Sequence, residues 1–166
     1  MSIRFATVAD APEIVEINLE GWQTAYRGIF PDEFLDSLNF EVEKTAKIIA
    51  EKPETTLVFT DDNQKVLGFC SFGELRWEQF VNKCDCELNA IYVASVARGQ
   101  GIGKALFKAT TDLFRKQGKK RLLVNVLADN ESALAFYKNL GGVEIGNKDF
   151  VLLEVNYPQN VLVFEL

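Results

Sequence analysis

The feature that most constrains this chain is a strand-like run that stops in three alternating glycines and restarts as a helix. Glu87-Leu88-Asn89-Ala90-Ile91-Tyr92-Val93 is followed by Arg98-Gly99-Gln100-Gly101-Ile102-Gly103-Lys104-Ala105. Glycines at 99, 101 and 103 strip side chains from the turn, so main-chain N–H groups can close on a ligand. The first four N–H groups of a helix lack internal acceptors and carry the positive end of its dipole. Such an end attracts anions, and Arg98 and Lys104 bracket it with positive charge. The local chemistry is phosphate or pyrophosphate binding.

The surrounding pattern predicts how this unit is built into a fold. Residues 3–7 read as a short strand. Thr7 or Asp10 can cap the helix that follows, and Asp10-Ala11-Pro12-Glu13 fits a cap, a proline near the helix start and a capping-box-like Glu. Ile14, Ile17 and Trp22, with Val15 and Leu19, mark an amphipathic helix to about Ala25. Shorter helical pieces begin at Pro31 and span 41–51. Thr56–Thr60 and 66–75 read as a hairpin, 77–85 as a loop and Cys86–Val93 as a strand. A helix follows over 102–117, stopped by Gly118, with Lys119-Lys120-Arg121 in its last turn. Arg121–Leu127 is a continuous apolar run, hence a buried strand. A helix over 130–140 and strands over 143–145, 150–155 and 161–164 complete the chain. The order β-α-α-β-β-β-α-β-α-β-β predicts an α/β chain with a central mixed sheet of six to seven strands and helices on both faces. At 166 residues it is expected to be a single domain, residues 1–166.

Two familiar glycine loops do not fit the turn. A P-loop would need glycine where Arg98 stands and Ser or Thr where Ala105 stands. A dinucleotide fingerprint would need a third glycine at Lys104 or Leu106. The arrangement that fits is Arg98-x-x-Gly101-x-Gly103 after a strand, with a second segment downstream, Asn130-Glu131-Ser132-Ala133-Leu134-Ala135-Phe136-Tyr137-Lys138-Asn139-Leu140-Gly141-Gly142. On these two segments the chain resembles the GCN5-related N-acetyltransferase (GNAT) family, most closely over roughly residues 85–145.

The resemblance implies the acyl-CoA N-acyltransferase fold, with the strands Cys86–Val93 and Arg121–Leu127 parting into a cleft. It implies acetyl-CoA as cosubstrate and no metal. The pantetheine arm would meet the main chain at Ile91, Tyr92 and Val93. The diphosphate would lie on Arg98, Gly99, Gln100, Gly101, Ile102, Gly103, Lys104 and Ala105, with Asn130, Ala133 and Tyr137 also on the cofactor. Tyr137 would protonate the departing CoA thiolate. Glu87 would be the base, acting through water. Some relatives place a Glu on the strand where this chain has Asn125, which cannot take a proton. Trp22 and Tyr26, one helical turn apart near Glu20, Arg27 and Phe30, would line the acceptor side.

Composition narrows the chemistry independently. The chain has no histidine, which excludes Ser-His-Asp and Cys-His nucleophile pairs and His-bound zinc. Direct attack of an amine on a thioester needs neither. The three cysteines, Cys70, Cys84 and Cys86, build no disulfide framework and read as buried thiols. Residues 1–56 carry 11 acidic and 5 basic side chains, whereas residues 98–121 carry 8 basic and 1 acidic. A basic segment suits an anionic cofactor, and an acidic third suits a cationic amine acceptor. The overall charge of −6 speaks against nucleic acid. No run of about 18 apolar residues predicts a membrane span, and no long apolar leader opens the chain, so a cytoplasmic protein is expected. The expected partner is a small-molecule amine; a homodimer is compatible with the resemblance. A protein N-terminus or lysine as acceptor, and a non-catalytic CoA-sensing module, stand as alternatives.

Overall fold

The computed structural model describes every residue, Met1–Leu166. Seven strands, β1 (Ser2–Phe5), β2 (Thr56–Thr60), β3 (Val66–Gly73), β4 (Cys86–Val93), β5 (Arg121–Leu127), β6 (Val143–Leu152) and β7 (Val155–Glu165), are joined with five helices. The helices are α1 (Ala11–Ala25), α2 (Asp32–Ser37), α3 (Val42–Glu51), α4 (Ile102–Lys116) and α5 (Glu131–Asn139). The strand order is β1-β2-β3-β4-β5-β7-β6. The sheet is mixed: β4 and β5 run parallel, while β1 with β2, β2 with β3, β5 with β7 and β6 with β7 run antiparallel. The mixed sheet expected from the order of elements is therefore present. The chain divides into two compact units, Met1–Phe72 with Ala90–Thr110, and Gly73–Asn89 with Thr111–Leu166.

In the first unit, α1 buries Ala11, Ile14, Ile17 and Gly21, one side chain per turn. Ala11, Ile14 and Ile17 meet Ala6, Ile49, Val58, Val66 and Phe69 in a common core. Of the two expected caps, Thr7 stands at the start of a 3-10 turn, Val8–Asp10, that precedes α1, with Asp10 answering it as in a capping box. Asp10 does not cap α1 with its side chain. Its carboxylate turns back to accept the Thr7 N–H at 2.7 Å, and takes both nitrogens of the Arg4 guanidinium at 2.8 Å. Glu13, expected to complete the cap, instead accepts the Val66 N–H at 3.1 Å. A bidentate guanidinium outbids a helix N–H for a nearly buried carboxylate. Arg4 holds the Asp10 carboxyl down at about 2.

In the second unit, β5 is buried at Leu122, Leu123, Val124, Val126 and Leu127, as its apolar run predicts. It pairs with β4 over Cys86, Glu87 and Leu88, opposite Leu122, Leu123 and Val124. Opposite β7 the ladder continues through Asn125, Val126 and Leu127. The three short strands expected after residue 142 are in fact two long ones. β6 and β7 form one hairpin, turning at Leu153 and Glu154 with φ of 50° and 64°. Left-handed residues at both central positions are the geometry of a type I′ turn, usually written Asn-Gly. The polar stretch from Gly146 to Asp149 and Pro158 in β7 hide the strands from a propensity reading, but cross-strand pairing overrides local preference. A second correction concerns Lys119-Lys120-Arg121. α4 ends at Lys116, and Gly118 (φ 78°) turns the chain out. Lys119 then pairs with Glu74 at 3.0 Å, and the Lys120 and Arg121 N–H groups bond to the Asp85 carboxylate.

Two stability outcomes follow from these contacts. Asp10→Asn should lower unfolding free energy at pH 7 by about 2 kcal/mol, the worth of a carboxyl held that far below its usual value near 4. Because the folded-state value is the depressed one, this difference should be full above pH 4 and vanish as pH falls toward 2, read from urea titrations across that range. Replacing Leu153-Glu154 by Asn-Gly should raise the melting temperature, since a left-handed backbone costs residues other than Gly and Asn about 1 kcal/mol each.

Candidate active site

In the first unit the glycine turn has the geometry its sequence implies. Gly99 and Gly101 have φ of 77° and 79°, values that side chains with a Cβ adopt at a cost. The first bond of α4 runs from the Ala105 N–H to the Gly101 carbonyl at 3.0 Å. The N–H groups of residues 102–104 lie ahead of it with no intrahelical acceptor. Arg98, Gly99, Gln100, Gly101 and Lys104 are exposed, while Ile102 is buried and anchors the helix. Arg98 Nε donates to the Val93 carbonyl at 3.2 Å and Gln100 Nε2 to the Val96 carbonyl at 3.4 Å. These side chains brace the turn from its own flanks. Glu20 accepts the Ser95 N–H at 3.0 Å, and the Ser95 hydroxyl and N–H hold the Glu20 carboxyl below its usual range.

The end of β4 offers main chain on one side. The Ala94 N–H bonds to the Leu67 carbonyl of β3 at 2.9 Å, and a Cβ at Gly68 would stand 3.0 Å from the Tyr92 oxygen. The peptide groups of 92 and 94 thus face β3. Successive residues of a strand point their polar groups to opposite edges, so those of Ile91 and Val93 face away from β3. Gly68 is needed here for close approach of the two strands.

Tyr92 itself turns toward α1. Its ring occupies the space a Cβ at Gly21 would take, packs 5.9 Å from Phe69, and its phenol bonds to that of Tyr26 at 3.1 Å. Burial pushes the Tyr26 phenol up. Trp22 stands edge-on to Tyr26 at 4.9 Å, with Phe30 and Phe40 about it at 6.1 and 6.0 Å. The structure thus brings Trp22, Tyr26 and Tyr92 together. The acidic bias of this region is partly spent internally, since Asp32 and Asp36 hold Arg27, and Glu41 holds Lys44.

In the second unit Glu87 is only 1% exposed. One oxygen accepts from Arg76 Nη2 (3.0 Å), Trp77 Nε1 (2.9 Å) and Asn125 Nδ2 (3.3 Å); the other accepts from the Arg76 N–H (3.3 Å) and Nε (3.2 Å). Five donors meet a group with about four lone-pair sites. Arg76 Nη2 also reaches Asn89 Oδ1 at 2.8 Å, so Glu87 and Asn89 share one face of β4. Arg76 and Trp77 carry no sequence motif, which is why the reading of residues passed over them.

Asn130 Oδ1 accepts the Ala133 N–H at 3.1 Å and caps α5. Tyr137, on α5, is 8% exposed and lies edge-on to Phe136 (5.0 Å) and Phe164 (6.3 Å). The helix ends where the Gly142 N–H bonds to the Tyr137 carbonyl at 3.0 Å, a turn in which a Cβ on Gly142 would strike Phe164. All three thiols are free and buried, and burial pushes Cys70 and Cys84 up to about 11 and Cys86 up as well. None is a ready nucleophile. No helix is long and apolar enough to cross a membrane.

Comparison with known proteins agrees with this geometry. Residues 16–141, a stretch that runs through both units, match the acetyltransferase (GNAT) family. An N-acetyltransferase of Bacillus subtilis, YuaI, is 30% identical over 159 residues, 96% of this chain and 90% of that protein. The L-methionine sulfoximine/L-methionine sulfone acetyltransferase of Salmonella typhimurium is 28% identical over 142 residues, 85% of this chain and 79% of that one. Among solved structures, a ribosomal-protein-alanine N-acetyltransferase from Brucella melitensis is 25% identical with a TM-score of 0.78, covering 100% of both chains. The acetyltransferase yncA of Salmonella typhimurium, solved with acetyl-CoA, has the same fold at 21% identity and a TM-score of 0.75, over 99% of this chain and 93% of that one. With the glycine turn, the mixed sheet and a match over most of its length in agreement, the chain belongs to the acetyltransferase (GNAT) family and is an N-acetyltransferase.

Proposed function

We propose that residues 1–166 form a single domain that moves the acetyl group of acetyl-CoA to a primary amine of a small molecule by direct attack on the thioester. The observation that carries this reading is the turn at 98–105. It combines two left-handed glycines, helix N–H groups without acceptors and two exposed cations in a chain of the acetyltransferase family. The CoA diphosphate lies on that turn, and the pantetheine arm on the main chain of Ile91 and Val93, which faces away from β3. Asn130 and Ala133 also contribute to the cofactor side. Trp22 and Tyr26 line the acceptor side. A small-molecule acceptor is favoured by the similarity to the methionine sulfone enzyme. A protein N-terminus is the second reading, favoured by the full-length likeness to the Brucella enzyme.

Tyr137 donates the proton to the departing CoA sulfur; a phenol keeps its proton at neutral pH and suits this task. Glu87 enters differently from the sequence expectation. With five donors on its two oxygens it has no free lone pair for a water that would accept the amine proton. We assign it to positioning: its charge holds Arg76, Trp77 and Asn125 in place, and the amine loses its proton to solvent. A main-chain N–H of Ile91 or Val93 polarises the thioester carbonyl.

Three measurements test these roles. Gly101→Val should raise the dissociation constant for CoA at least tenfold by titration calorimetry, through strain in the left-handed turn, with the far-UV spectrum unchanged. Unchanged affinity would remove the turn from the site. Tyr137→Phe should lower kcat on the order of 100-fold while CoA affinity stays within twofold. Glu87→Gln should reduce turnover yet keep the acid limb of the kcat/KM profile, followed by free-thiol release; disappearance of that limb would make Glu87 the base after all. A panel of amino acids, amines and N-terminal peptides, read the same way, selects between the two acceptor readings.

A further inference from the structure

Two side-chain oxygens of the second unit are buried without any hydrogen-bond partner, Asn125 Oδ1 and Gln159 Oε1. A buried acceptor left unpaired is costly, so each such atom asks for an explanation. Register puts them side by side. On β5 and β7, Asn125 lies opposite Val161 and Leu127 opposite Gln159. Asn125 and Gln159 are therefore diagonal neighbours on one face, about 7–8 Å apart along the ladder and within reach of a common ligand. The orientation of Asn125 is fixed, because its Nδ2 must face the Glu87 carboxylate and its Oδ1 must then face away.

The rest of that face completes the picture. Lys148 sits directly opposite Gln159 on β6, and its ammonium lies 3.3 Å from the centroid of the Trp77 ring. The structure gives this ammonium no hydrogen bond or ion pair. Trp77 is locked by its own indole N–H to Glu87. A cation thus already rests on an aromatic face on the same side of the sheet as two unpaired acceptors, drawn also by the Glu87 charge, and a ligand ammonium can make the same contacts.

We propose that Asn125 Oδ1, Gln159 Oε1 and the Trp77 ring face form the subsite for the nitrogen of the acceptor, a primary amine or ammonium that enters by displacing the Lys148 side chain. The donor must bring at least two N–H groups, one for each oxygen, which a primary amine has and a tertiary amine lacks. Displacement is feasible because a ligand ammonium replaces Lys148 both on the Trp77 ring and as a positive charge near Glu87, and adds two hydrogen bonds. The inference rests on the acetyltransferase reading for its role, but not for its test. Asn125, which cannot be a base, acquires a task that an aspartate beside Glu87 would perform poorly through charge repulsion.

The test is binding to the CoA-loaded, 15N-labelled protein, with methylammonium chloride as probe and potassium chloride at matched ionic strength as control. Saturable movement of the Asn125 and Gln159 carboxamide and Trp77 indole resonances with methylammonium alone is expected. Resonances that stay still, or move equally with potassium, overturn the subsite whether or not the protein turns over. In steady-state assays with the primary amines accepted from the panel, Asn125→Leu and Gln159→Leu should each raise KM about two- to tenfold, the range of one lost hydrogen bond. Lys148→Ala should lower it. A KM unmoved in both leucine variants also overturns the proposal, whereas a total lack of thiol release with every amine would count against the acetyltransferase reading instead.

Discussion

A carboxylate removed from water must find its hydrogen bonds in the protein, and Glu87 organises the second unit around that requirement. Five donors converge on it from Arg76, Trp77 and Asn125. Two of these residues lie in the segment between β3 and β4, whose own backbone bonds run from Trp77 onward, through a 3-10 turn at Glu78–Phe80. Its position is set by the charge it serves. Phe80 and Cys84, further along the same segment, pack with Leu123, Val161 and Val163 of the sheet. The polar node and the apolar patch together fix a stretch that composition alone would class as loop.

The first unit relies on a different constraint, close approach without side chains. Gly21 leaves room for the Tyr92 ring, and Gly68 for the Tyr92 carbonyl. The end of β4 is therefore gripped from α1 and from β3. One row of its peptide groups is engaged by β3; in the other, Arg98 takes the Val93 carbonyl and the remaining groups are left for whatever the strand receives. The glycine turn begins only a few residues later, so its entry angle inherits the rigidity of this grip.

Much of this was legible from residues alone. The bounds of β2, β4 and β5 agree with the reading, because alternation or continuous apolar runs mark them. The turn at 98–105 was legible because glycine positions state backbone conformation directly. What escaped the reading depends on contacts distant in sequence. Leu153 and Glu154 carry no turn signal, and their conformation is imposed by the ten-residue ladder they close. Asp10, one of two candidate caps, has the spacing for that role, and nothing local shows that Arg4 reaches it. Nothing in a sequence announces that Arg76 and Trp77 fold over Glu87. Gln159 and Lys148 gain meaning only from register, which no local pattern supplies.

The three buried thiols carry a consequence for a protein whose reaction releases a thiol of its own. Every turnover on acetyl-CoA liberates free coenzyme A, and the disulfide formed when that thiol is oxidised is open to attack by accessible thiolates. Cys70, Cys84 and Cys86 are covered and kept protonated by that burial. Coenzyme A oxidised to its disulfide therefore meets no ready exchange partner on this chain.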